Sequence, residues 1–208
     1  MFVKKDLRKI PEILSRNEEN DEKENQPMNA IGSSSLTELK LARRQGEFGG
    51  NLKVLCDPIY SNALANLTKL SLYDCGLHDL KGIGMLGECS RLQQLNIGSN
   101  DFTDLPAEFA LLADTLEVLW MDDCKLKGPL PECIYQLSNL KSLRLPGNRI
   151  DTILSGNEGL LGIDEDEEDT SDGLSSLKNL ETLSLDNNLL KSLPRELELP
   201  KLESLMMR

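Results

Sequence analysis

The chain has 208 residues, 39% of them apolar and only 4% aromatic, enough for the core of one or two domains, built mostly from aliphatic side chains. A formal charge of -12 disfavours nucleic acid as a partner, because phosphate binding needs clustered Lys and Arg. No apolar run approaches the roughly 18 residues that span a bilayer, and His78, the only histidine, excludes any site that needs two.

The N-terminus, MFVKKDLRKIPEIL, is charged where a signal peptide needs an unbroken apolar stretch, which disfavours secretion. Five cysteines without a CxxC pair suit reduced thiols, so a cytoplasmic protein is expected. Within residues 1–14, Leu7-x-x-Ile10-Pro11-x-x-Leu14 has the spacing of Leu190-x-x-Leu193-Pro194-x-x-Leu197 near the other end, and reads as half of a repeat. Residues 15–35 form a polar run in which Glu18, Glu19, Asp21, Glu22 and Glu24 outweigh Arg16 and Lys23. Such a run repays ordering poorly and is expected to be a mobile insertion.

From residue 36 to residue 208 the chain repeats itself. A degenerate copy, Leu36-x-x-Leu39-x-Leu41, has Arg44 where later copies carry Asn or Cys. Five full copies follow: Leu67-x-x-Leu70-x-Leu72-x-x-Cys75-x-Leu77, Leu92-x-x-Leu95-x-Ile97-x-x-Asn100-x-Phe102, Leu116-x-x-Leu119-x-Met121-x-x-Cys124-x-Leu126, Leu140-x-x-Leu143-x-Leu145-x-x-Asn148-x-Ile150 and Leu180-x-x-Leu183-x-Leu185-x-x-Asn188-x-Leu190. A further copy opens at Leu202 and stops within its strand, so either the natural chain continues or the end pairs with another. Successive starts from Leu67 lie 25, 24, 24, 40 and 22 residues apart. The long step holds Glu158, Asp164, Glu165, Asp166, Glu167, Glu168, Asp169 and Asp172, with no basic residue, so 156–173 reads as a second acidic insertion. Without its eight charges the chain stands at -4, and without the first run near -1, so the folded body is almost neutral.

Each part of the pattern has a physical cause. The Leu-x-Leu pair alternates with polar residues at period two, as a short strand with one buried face does. Parallel strands about 4.8 Å apart would stack into one sheet. The Asn just beyond each strand can bond backbone groups of adjacent coils, and Cys can replace it as a small buried residue with a weak donor. The second halves, such as Pro106 to Leu112 and Pro131 to Leu137, have helix-like spacing with Pro in the first turn. No single coil can bury its apolar face alone, so stability must come from stacking.

On these residues the chain resembles the leucine-rich repeat superfamily over nearly its whole length. Leu126-Lys127-Gly128-Pro129-Leu130-Pro131 is similar to the plant-type step, while Leu105-Pro106 and Leu193-Pro194 are similar to the shorter intracellular, Ras-group-related type. The resemblance implies an α/β solenoid, a curved horseshoe with a parallel β-sheet on the concave face and short helices, 3-10 turns and loops on the convex face. It implies about six repeats within 36–208, the last incomplete.

Other motifs carry less. Gly82-Ile83-Gly84-Met85-Leu86-Gly87 spells a dinucleotide fingerprint, but no βαβ unit surrounds it and Ile83 and Leu86 fall on apolar steps. The run from Asp164 to Asp169 lacks the Gly and spaced Glu of a calcium loop and reads as a solvated charge run. Asn66-Leu67-Thr68 is a glycosylation sequon that matters only in a secreted protein. No catalytic signature, metal-ligand cluster or cofactor motif is present, so no enzyme, cofactor, metal site or small-molecule substrate is expected.

The repeat register lays out the concave face. The column between the two strand leucines reads Lys40, Ser71, Asn96, Trp120, Arg144, Ser184 and Met206, and the next reads Ala42, Tyr73, Gly98, Asp122, Pro146, Asp186 and Arg208. Beyond these lie Arg43, Asp74, Ser99, Asp123, Gly147 and Asn187. Trp120, the only tryptophan, falls near the middle, with Asp122 and Asp123 beside it, Arg144 one strand away and Tyr73 two away. Trp, Tyr and Arg dominate binding hot spots. The candidate partner-binding residues are therefore Trp120, Tyr73, Asp122, Asp123, Arg144 and Asp186. The expected function is a non-enzymatic interaction module and scaffold in the cytoplasm, acting in signal transduction and recognising a protein with a partly basic surface on the concave sheet. The alternative is that these repeats are the recognition region of a larger kinase- or ubiquitin-ligase-type enzyme or receptor. Neither nucleic acid nor a membrane is an expected partner.

Overall fold

The computed structural model describes residues 36–43, 45, 48–53, 55–57, 64–89, 91–156, 173–195 and 197–208. The expected half repeat at 1–14, the insertion at 15–35, Arg44 and the acidic part of the insertion at 156–173 lie outside the described residues. Among the described residues seven three-residue strands form one parallel sheet: β1 (Glu38–Lys40), β2 (Lys69–Ser71), β3 (Gln94–Asn96), β4 (Val118–Trp120), β6 (Ser142–Arg144), β8 (Thr182–Ser184) and β9 (Ser204–Met206). Their pairing runs Lys40, Ser71, Asn96, Trp120, Arg144, Ser184 and Met206 across the sheet, the column that the repeat spacing predicts. The middle residue of each strand from Leu39 to Leu183 points inward and is buried. Leu205, in the last strand, is 45% exposed.

Behind the sheet lies an aliphatic core running from Leu36 to Leu185. Opposite the strands the chain forms short convex segments: α1 (Gly84–Cys89), a 3-10 helix at Ala107–Leu112, α2 (Glu132–Tyr135) and a 3-10 helix at Leu174–Ser176. Pro106 and Pro131 sit immediately before their helices, where a missing N–H costs nothing. The fingerprint-like glycines have a packing role: the Leu111 carbonyl lies where a side chain at residue 87 would stand. Gly87 thus lets α1 approach the following coil, and Ile83 and Leu86 are buried beneath it.

A ladder of polar side chains joins the coils along the turn that follows each strand. Asn148 accepts from the backbone N–H of Cys124 and Leu126, at 3.1 and 3.0 Å, and donates to the carbonyls of Met121 and Leu145, at 2.8 and 2.9 Å. Asn100 does the same one coil pair earlier, bonding Cys75 and Leu77 on one side and Leu72 and Ile97 on the other. At the alternate positions a thiol replaces the amide. Cys75 donates to the Leu41 carbonyl at 2.9 Å and Cys124 to the Ile97 carbonyl at 3.2 Å. The residue just before each rung, from Asp74 to Asn187, takes a left-handed backbone, although only Gly147 among them is a glycine. Its N–H bonds the next coil, as Asp123 does to the Pro146 carbonyl at 2.9 Å, so stacking holds the turn in place.

Two features go beyond the repeat pattern. A second, two-stranded parallel sheet pairs β5 (Lys127–Pro129) with β7 (Arg149–Thr152), following the step at Leu126–Pro131 that the sequence shares with plant-type repeats. The acidic insertion also leaves and re-enters through a narrow neck. The Leu174 N–H donates to the Leu154 carbonyl at 2.8 Å and the Ser175 N–H to that of Ser155 at 3.1 Å. Gly156 backbone fills the space where a side chain at residue 173 would sit, so only Gly closes the neck this tightly. Tyr135, buried in the preceding coil, accepts from the Leu154 N–H at 3.0 Å and fixes the base. Among the described residues no helix is long and apolar enough to cross a membrane.

Candidate functional site: the concave sheet around Trp120

Alternation along β4 decides where Trp120 points. Leu119 and Met121 on either side are fully buried, so Trp120 faces out from the sheet with 38% of its surface exposed. The Arg144 guanidinium, one strand on, lies 5.5 Å from the centre of its ring. The same guanidinium donates to Asp122 Oδ2 at 3.1 Å, so Trp120, Arg144 and Asp122 form one connected group. Arg144 cannot swing away without losing both a cation–π contact and an ion pair, which holds the indole in a set orientation.

Asp122 is set deeper than its sequence position suggests. Burial pushes its carboxyl above the usual range, opposed by the pull of Arg144, and its Oδ1 is buried without a hydrogen-bond partner. Asp186 repeats the arrangement two strands away: Oδ1 is buried and unpartnered, while Oδ2 accepts from Ser184 Oγ at 3.4 Å. Asp123 is exposed, and its carboxylate stands over the next coil, in the space that a side chain at residue 147 would need. Tyr73 is half-buried and lies against Gly98, whose missing side chain leaves room for the ring beside the Asp122 backbone. Of the six candidate residues, then, Trp120, Arg144 and Asp122 are in contact. Tyr73 lies against Gly98, which stands between it and the Asp122 strand, Asp123 stands at the turn edge, and Asp186 lies beyond Pro146.

A neighbouring feature was missed in the sequence. Between β1 and β4 the sheet holds a hollow of about 290 Å³, walled at one end by Trp120 and Val118 and at the other by Lys40 and Glu38, with Lys69 and Gln94 between. Its outer residues belong to the column before the first strand leucine, which the repeat spacing could have set out in the same way as the other three. Among the described residues no group of three or more His, Cys, Asp or Glu is placed to hold a metal ion.

The family model for the Leucine Rich Repeat matches residues 115–137, the coil that carries Trp120. Among solved structures, internalin C2 from Listeria monocytogenes is similar over 84% of this chain and 62% of its own, with 20% identity and a TM-score of 0.60. Internalin F from the same organism is similar over 84% of this chain and 44% of its own, with 22% identity and a TM-score of 0.58. A TDR receptor shares 30% identity over 63% of this chain and 20% of its own, at a TM-score of 0.47, too low to bear on the fold. The chain thus spans between a fifth and about three fifths of these structures, and the internalin likenesses speak to fold alone. No curated protein matches it in sequence.

Proposed function

We infer from its leucine-rich repeats, stacked strand on strand into one solenoid, that this chain is a non-enzymatic interaction module whose protein partner docks on the concave sheet. The observation that carries this reading is the outward Trp120, clamped by Arg144 and Asp122 at the centre of a seven-stranded face. A sheet held by coil stacking presents such a group at little entropic cost, which is how a scaffold gains affinity without moving parts. Trp120 is the apolar anchor, with Tyr73 and Arg144 as further contacts and Asp122, Asp123 and Asp186 as a polar rim. Acids on that rim favour a partner surface that is partly basic, so association should weaken as salt rises. A cytoplasmic setting belongs with this reading, because Cys75 and Cys124 act as thiol donors in the ladder and suit a reducing compartment.

The test compares two single substitutions in capture experiments from the cell of origin. Trp120→Ala removes the concave anchor, whereas Leu111→Ala removes an apolar side chain that is 51% exposed on the convex side. A partner lost with the first and kept with the second supports the concave reading. A partner lost only with Leu111→Ala moves the interface to the convex face and overturns it.

A further inference from the structure

The hollow between β1 and β4 differs in charge from the rim that Asp122 and Asp186 form. Among the described residues two cations line it, Lys40 and Lys69 on the strands, and a third, Arg144, lies against the Trp120 ring outside the lining. Two acids oppose them, and both are committed. Glu38 pairs with Lys40 at 2.9 Å, and Lys69 stands beside it in register on β2. Asp122 pairs with Arg144 on the far side of the indole and is not part of the lining. Inside the hollow the remaining polar groups are Ser71, Gln94 and Asn96, each able to donate a hydrogen bond. Trp120 and Val118 form the apolar wall, and Arg144 already occupies the neighbourhood of the ring. A second cation on the open side of that indole would meet Arg144 across the ring and Lys69 across the hollow, and among the described residues the one carboxylate in the lining, Glu38, is already paired.

We propose that this hollow receives an acidic segment of the partner in which a carboxylate side chain follows or precedes an aliphatic one. The carboxylate meets Lys69, and the aliphatic group packs on Trp120 and Val118. This deepens the concave-sheet reading and rests on it: the partner segment carries negative charge over β1–β3 and positive charge over the Asp122 and Asp186 rim, which fixes the direction in which it crosses the strands. The sheet's two halves thereby set orientation as well as affinity.

Trp120, being the only tryptophan, reports occupancy through its own fluorescence. The full chain is titrated at physiological salt with three ten-residue peptides free of Trp and Tyr, built from Leu with Glu, from Leu with Lys, and from Leu with Ser. The Glu–Leu peptide should shift Trp120 emission saturably, and bind about tenfold or more tighter than the Lys–Leu peptide. Lys69→Glu should weaken it about tenfold, and Lys69→Arg should restore it to within about twofold, since the cation is what counts. Lys69 is exposed, so both variants should melt with the parent. Tighter binding of the Lys–Leu peptide, or Glu–Leu binding indifferent to Lys69→Glu, overturns the proposal while leaving the concave sheet as the docking face. Equal binding of all three peptides reduces the hollow to an apolar patch and also overturns it. An emission shift that follows protein concentration without peptide assigns the hollow to a second copy of the chain. No response to any peptide, together with partner capture indifferent to Trp120→Ala, overturns the concave-sheet reading itself.

Discussion

Replacing Asn148 tests whether the amide ladder holds the coils together. Asn148→Ala leaves the N–H groups of Cys124 and Leu126 without their acceptor and removes a donor from the carbonyls of Met121 and Leu145. The site is only 4% exposed, so water replaces these partners poorly. At about 1–3 kcal/mol for each buried group left unsatisfied, and with the two N–H groups the most affected, the loss should be about 3–5 kcal/mol. Asn148→Cys separates the two roles. By analogy with Cys124, whose thiol reaches the Ile97 carbonyl at 3.2 Å, it should keep a donor to Met121 and lose the acceptor, costing about half as much. The reverse change, Cys124→Asn, should retain the bond to Ile97 and offer a carbonyl oxygen to the N–H groups of Asn100 and Phe102, stabilising by about 1 kcal/mol. Urea unfolding followed by circular dichroism gives all three values from midpoint and slope. Equal losses for Asn148→Ala and Asn148→Cys, or a loss below about 1 kcal/mol for the first, would refute the ladder as a source of stability.

The neck at Gly156 and Gly173 makes the acidic insertion separable, so joining those residues directly should leave the urea midpoint nearly unchanged, while Leu183→Ala, which empties a fully buried site, should cost about 2–5 kcal/mol; comparable losses would make the insertion structural. Burial pushes the thiols of Cys124 and Cys133 up to about 12, so both should resist iodoacetamide at pH 8 in the folded chain and react once it is unfolded, as mass spectrometry of the labelled peptides would show. Burial also raises the Asp122 carboxyl above its usual range, so the folded state holds that proton more tightly than the unfolded chain does. Its contribution is therefore most favourable below the usual Asp range and is lost as pH rises through the folded value, and Asp122→Asn should flatten the melting-temperature profile across that acidic window rather than at neutral pH.

The sheet and its register were readable because strand spacing and burial share one period. Once Leu119 is assigned to the core, Trp120 must point the other way, and every residue at the same step in a neighbouring coil joins its column. The ladder was readable for the same reason, since Asn and Cys recur at a fixed distance from the strand. What the spacing does not carry is contact between columns. That Arg144 lies over Trp120 while holding Asp122, and that Tyr73 fits over Gly98, depends on side-chain torsions and on which neighbour lacks a Cβ. The charge sign of the hollow was hidden because its outer column, with Lys69 and Gln94, lies before the first strand leucine, outside the three columns laid out. The β5–β7 pair was missed although the Gly128 step was recognised, because a motif of loop type names no partner strand. The closed neck at Gly173 depends on two glycines 17 residues apart meeting in space, which no local pattern encodes.

The central claim, a partner held on the concave face by Trp120, is tested most directly by affinity and stability measured together on Trp120→Ala. With a captured partner titrated by calorimetry, the substitution should cost about 2 kcal/mol or more of binding, as loss of a hot-spot aromatic does. The melting temperature should fall little, since a ring 38% exposed gives up mainly its contact with Arg144, worth about 0.5–1 kcal/mol. Unchanged affinity beside a large fall in melting temperature would make Trp120 a packing residue and contradict the account.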